Sequence, residues 1–208
     1  MMRRIHNQKR NKMIGLYDLK EATKKFEKVE GRASFYERAL SIAKEHPVEA
    51  AIIILATWNV NRFRMKFNNP DNLIKLEYAI KESEVSFKLL EKYDIQTIDF
   101  KSEAGVIKEI YRSLSSIPGV EHTGGSKVMS LMQPKLFVMW DSYIRKHYGI
   151  LKDDPAAYVQ FLVDMQNEVK DVGWEHESKT LAKVIDEYNY VNYTLPELEK
   201  KRHERTKT

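Results

Sequence analysis

Glycine and proline fall between the apolar-periodic segments of this chain and not inside them, and that placement constrains the fold more than any other feature. Apolar residues recur at three- and four-residue intervals in every long segment, and none alternates at the two-residue period of a half-buried strand. The expected fold class is all-α. The periodicity predicts helices near 16–30, 33–45, 47–63, 71–92, 102–115, 124–132, 142–149, 155–171 and 177–193. Pro47 follows His46 at a first helical position, and Asn69-Pro70-Asp71 offers a cap before Leu73, Ile74, Leu76 and Ile80. The stretch Glu197 to Thr208 is charged, lacks apolar periodicity and is expected to fray.

A chain of 208 residues can bury one good core, or two small helical lobes with a groove between them. With no cysteine there is no disulfide, thiolate metal site, thiol nucleophile or cysteine-held iron–sulfur cluster. The six histidines show no His-x-x-x-His spacing, so no metal is expected. Nucleotide-binding glycine loops and a serine elbow are also missing. The longest apolar run, Val48 to Trp58, is too short to cross a bilayer and reads as a buried central helix. Met-Met-Arg-Arg at the start lacks the apolar region of a signal peptide, which points to a soluble, cytoplasmic protein without a membrane partner.

Net charge is +5, and the five basic residues Arg3, Arg4, Lys9, Arg10 and Lys12 account for all of it. The rest of the chain is electrically balanced, so attraction to nucleic acid has to come from that arm or from local clustering.

Chemistry concentrates in residues 117–141. Ile117-Pro118-Gly119-Val120 and a short polar turn precede an apolar-periodic helix, and the apolar run Leu136 to Trp140 then ends at Asp141. A Pro-Gly break ahead of a helix leaves several backbone N–H groups unpaired at its N-terminus, where a phosphate can bind. Asp141 suits the N-cap of a helix starting at Ser142. Trp58-Asn59-Val60-Asn61-Arg62 closes the apolar helix with side chains able to stack on or hydrogen-bond a base.

This stretch resembles the helix-hairpin-helix DNA glycosylases, which share a Leu-Pro-Gly-Val-Gly-x-Lys-Thr-Ala hairpin followed by a catalytic aspartate. With Gly119-Val120 on the family's Gly-Val, Asp141 falls on that aspartate without a gap. The match covers about residues 114–146; elsewhere only the helix order and the apolar helix at 48–58 agree.

The resemblance implies a two-lobed helical fold, with residues 68–145 forming the lobe that holds the hairpin, residues 1–67 and 146–208 forming the other, and a groove between them. It implies base-excision repair on double-stranded DNA, with cleavage of the N-glycosidic bond of a damaged or mispaired base by a monomer. An ionised Asp141 would stabilise positive charge on the sugar and orient water. Thr123 stands at the family's lysine position, which favours a monofunctional hydrolase. Lys127, one turn later, becomes the lyase nucleophile only in an alignment that shortens the segment before Asp141 by four residues. Gly119, Val120, His122, Thr123, Gly124, Gly125 and Arg145 are the implied DNA contacts, and Trp58, Asn59 and Trp140 the implied base pocket. No cofactor is implied beyond a monovalent cation on the turn carbonyls, as in related hairpins. Glu121 replaces the hairpin's second glycine, and with Thr123 it leaves a second reading open: a non-catalytic DNA-binding or interaction module on the same fold.

Overall fold

Most of the longer helices begin where a proline needs no partner or a side chain satisfies a free amide of the first turn. A computed structural model describes residues 13–175 and 178–206, which exclude the basic arm at 1–12. The Asp18 carboxylate accepts from Gly15 N (3.1 Å) as α1 (Leu16–Val29) starts, and α2 (Ala33–Ile42) follows. Pro47 opens α3 (Pro47–Trp58), and Asn69 caps α5 (Pro70–Glu82) by accepting from Asp71 N at 3.0 Å. Asp99, Asp154 and Thr180 cap α7 (Phe100–Ser115), α10 (Pro155–Glu168) and α11 (Leu181–Asn189) in the same way. Among the described residues the chain is all-helical, with no strand and no helix long and apolar enough to cross a membrane.

Two expected helices are divided and a third runs on. At Asn59, whose φ and ψ are −124° and 26°, the segment 47–63 breaks into α3 and α4 (Val60–Lys66). Ser83 separates α5 from α6 (Glu84–Leu90). The C-terminal segment does not fray: α11 runs through a π-helical turn, Tyr190–Thr194, into α12 (Leu195–Arg205). Pro196 supplies the reason for the wider turn. It has no N–H for the carbonyl four residues back, and its ring crowds that carbonyl, so the helix shifts register with Leu195 N bonding Tyr190 O.

α8 (Glu121–Met132) starts three residues earlier than expected, directly after the Pro118-Gly119-Val120 turn, and packs against α7. Residues 136–140 form neither helix nor strand and lead into α9 (Ser142–His147). The core is continuous across the two segments expected to form separate lobes. Leu19 and Phe26 of α1, Leu55 of α3, Leu76 of α5, Ile107 of α7, Val128 of α8, Phe161 of α10 and Val184 of α11 belong to one buried cluster. α3 joins this cluster to a smaller one: its fully buried Ala51 and Leu55 belong to the first, and its fully buried Ala50 and Ile54 pack with Tyr36, Ala39 and Leu131 in the second.

Glu168 closes α10 inside this core, where its carboxylate accepts from the Tyr148 hydroxyl at 3.0 Å. Burial pushes its pKa up to about 7, against the opposing Tyr148 hydrogen bond, and the charge of Asp164 adds to the rise. Between the ordinary carboxyl range and about pH 7 the folded chain therefore holds a proton that the unfolded chain has released. Stability should fall as pH rises through that window. Urea unfolding of wild type and Glu168→Gln at several pH values checks this: the wild-type midpoint should decline relative to that of the variant, and parallel profiles would remove Glu168 as the cause.

Candidate functional site

The break at Asn59, the start of α8 and the π-turn converge on one cleft of about 540 Å3. Its walls come from α1 and α2 (Phe26, Arg32, Tyr36), the end of α3 (Trp58), the start of α8 (His122, Thr123, Lys127), the start of α9 (Asp141, Arg145), and α11 with the π-turn (Lys183, Asp186, Tyr190, Thr194). Residues distant in sequence and named as candidates from it, Trp58, Lys127 and Asp141, thus share one space.

Asp141 is held from three directions. Its Oδ1 accepts from Tyr143 N (2.8 Å) and Ile144 N (2.9 Å), which caps α9, and its Oδ2 accepts from the Thr194 hydroxyl at 2.7 Å. Thr194 is the last residue of the π-turn, and Tyr193 beside it stacks on His147 of α9 with ring centroids 3.6 Å apart. The widened turn thereby clamps the corner that carries the carboxylate. π-turns concentrate at functional sites, and here one orients a candidate catalytic group.

Lys127 lies partly buried on α8 and donates from Nζ to Trp58 O at 2.7 Å. That carbonyl is available because α3 ends there. Burial lowers the lysine pKa to about 8, against the pull of the Asp141 and Asp186 charges, while Arg32 and Arg62 push in the same direction as burial. Arg32 also reaches the end of α3, donating to Thr57 O (3.1 Å) and lying 5.5 Å from the ring of Trp58, which is half-buried. Thr123, at the family's lysine position, lines the same cleft one turn before Lys127.

The hairpin differs from the expected phosphate grip in its details. Gly119 adopts φ +93°, and a Cβ there would sit 2.8 Å from Lys66 Cβ and 2.9 Å from the Phe67 ring, so the turn is pressed against the end of α4. Asn59, expected in the base pocket, lines the cleft and also donates from Nδ2 to Gly119 O (2.8 Å) and Val120 O (3.2 Å). Val120 is fully buried. Gly124 and Gly125 lie within α8, not in the turn: the amide of Gly124 bonds Val120 O, and a Cβ on it would meet Leu55 at 2.9 Å. Gly124 lets α8 approach α3, whereas a Cβ on Gly125 would only touch the end of α7 at ordinary contact distance. Glu121 takes φ +52° and pairs with Arg62 at 2.5 Å. His122 and Arg145 both face Asp153, at 3.4 and 3.3 Å.

Trp140 is a core residue. It is 1% exposed, packs on Tyr158 and Phe161, and donates from Nε1 to the Tyr111 hydroxyl (3.2 Å) and His122 O (3.4 Å). Its ring supports the chain just before Asp141, at the edge of the cleft that half-buried Trp58 also lines. Trp140→Ala should cost about 3–5 kcal/mol of stability, read from denaturant midpoints. A loss below about 1 kcal/mol would mean that the ring carries no such support.

Sequence reading passed over Thr194, Tyr36, Lys183 and Asp186. Pro196 inside an otherwise helical run is the one local signal for the irregular turn that places Thr194. Compared with family models, with curated proteins and with solved structures, the chain matches none of them.

Proposed function

We propose that this chain is a DNA N-glycosylase of the helix-hairpin-helix type, acting on a damaged or mispaired base extruded from double-stranded DNA. The observation that carries the reading is one cleft holding both a firmly oriented carboxylate, Asp141, and a lysine, Lys127, whose pKa is brought down to about 8. The cleft volume lies within the range that encloses small organic ligands. In the two-lobed arrangement that the resemblance implies, this cleft is the groove, since segments on both sides of residues 68 and 145 line it.

The neutral amine of Lys127 attacks C1′ of the sugar as the N-glycosidic bond breaks. The base departs with the bonding electron pair and takes up a proton, and Asp141 stabilises the positive charge that develops on the ring. Loss of the amine proton and opening of the sugar then give a Schiff base. Hydrolysis by water, the expectation from Thr123, is less well supported than this route, because Lys127 lines the cleft with a pKa suited to nucleophilic attack near neutrality.

Packing at the hairpin favours the second reading, a non-catalytic module. Gly119 is covered by Lys66 and Phe67, and Glu121 brings a negative charge to the turn. That reading gives DNA binding without base release. The test is single-turnover base release from duplexes carrying oxidised, deaminated, alkylated or mismatched bases, with strand scission read before and after alkali and with borohydride trapping. A covalent enzyme–DNA adduct and alkali-independent scission support the amine route. Scission only after alkali supports hydrolysis, and binding without release supports the module.

A further inference from the structure

The cleft is poorly equipped to hold a phosphate strand. Of the lysines and arginines that line it, Arg32, Arg62, Arg145, Lys179 and Lys183 each pair with an acid at 2.5 to 3.3 Å, and Lys127 donates to Trp58 O. Charges already paired offer a polyanion little, because affinity for DNA comes from cations that displace counterions at its phosphates. Nor does the hairpin turn substitute for them, since Lys66 and Phe67 cover Gly119 and Glu121 adds a negative charge. A duplex that presents an extruded base to this cleft needs its grip elsewhere.

α12 supplies the cations. Lys201, Arg202 and Arg205 are exposed, and their three- and four-residue steps from Leu198 put all four side chains on one helix face, which Glu197, Glu199 and Glu204 flank. Leu198 lines the cleft, and the Lys201 ammonium sits 5.0 Å from the ring of Tyr143, two residues after Asp141. Arg202 is near enough to Tyr190, also in the cleft wall, for its charge to act on that hydroxyl. The basic face thus begins at the lip of the cleft. Among the described residues neither Lys201 nor Arg202 forms an ion pair. Lys146, likewise exposed, lies one turn after Tyr143 on α9 and adds a fourth cation. From Lys201 to Arg205 the helix rises about 6 Å, the axial length of about two phosphates of one strand.

We propose that this face of α12, with Lys146, grips the phosphodiester backbone of duplex DNA beside the extruded base, in place of the hairpin turn. Its cations match the partner by charge and carry no base information, so the grip fixes where the strand lies and leaves base choice to the cleft. The assignment rests on reading the cleft as a base site.

The test is a fluorescence-anisotropy titration of the full chain with a labelled mismatched duplex over a series of salt concentrations, set beside base release from the same duplex panel. Lys201→Gln, Arg202→Gln and Arg205→Gln combined should weaken binding at low salt by about tenfold or more and lower the slope of log affinity against log salt by about two. Arg202→Gln alone should lower that slope by about one. Lys75→Gln, Lys81→Gln and Lys88→Gln combined remove the same charge from exposed positions of α5 and α6 and should leave the slope as in wild type. An unchanged slope in the α12 variants, or an equal drop in the α5 and α6 variant, overturns the proposal. Weakened binding by the α12 variants with no base release by wild type keeps the grip and removes the glycosylase reading. Base release by wild type with binding untouched by the α12 substitutions does the reverse, and a wild type without affinity for any duplex removes both.

Discussion

Asp141→Asn is expected to lower single-turnover base release by about 10³-fold, with DNA affinity and thermal stability nearly unchanged. Asparagine matches the volume of aspartate and is an equally good N-cap, so its amide oxygen can still accept from Tyr143 N and Ile144 N and keep α9 in place. What disappears is the negative charge beside the sugar at the moment its ring becomes positive. Uncharged asparagine cannot supply that stabilisation even when Thr194 holds it at the same spot. Release rates on the best duplex of the panel, compared with binding curves for the same duplex, separate the two effects. A fully active Asp141→Asn protein with intact binding would leave Asp141 as a helix cap alone.

Lys127→Met should abolish borohydride trapping and reduce alkali-independent strand scission by about 10³-fold or more, while the protein becomes more stable near pH 7. Methionine fills a similar unbranched volume without a charge. Because the folded pKa lies below the unfolded one, the destabilisation from burying this lysine is fully present below about pH 8 and disappears as pH rises toward the ordinary lysine value. The stability gained by Lys127→Met should shrink over the same interval, and the lost bond to Trp58 O offsets part of it. Wild-type scission should climb with pH and level off above about 8, as the neutral amine becomes the dominant form. A Lys127→Met protein that is less stable and equally active would make the lysine a structural tie between α8 and the end of α3.

Helical class and most helix starts were legible in the sequence because both depend on local chemistry. Pro47, Asn69 and Asp141 act within one turn of their own positions, and a 3.6-residue period exposes a buried face wherever that face ends up. Breaks were harder to see. Asn59 leaves the helix where its side chain bonds carbonyls sixty residues away, and the segment 177–193 carries on into α12 because the π-turn absorbs Pro196. The surroundings of the hairpin glycines were hidden for a related reason. Whether a glycine serves a ligand or a neighbouring helix depends on what faces it, and Gly119 and Gly124 face Phe67 and Leu55.

The sequence by itself determined an all-helical chain with no thiol chemistry, a capped helix behind Asp141 and a lysine fourteen residues before it. Tertiary structure alone decided that Lys127, Asp141 and Trp58 border one cleft, that Trp140 is core, and that Lys183 and Asp186 lie in a buried wall. The physical reason is range. Caps and periodicity are satisfied within a few residues, whereas a lowered lysine pKa and a clamped carboxylate arise from groups that only the folded chain brings together.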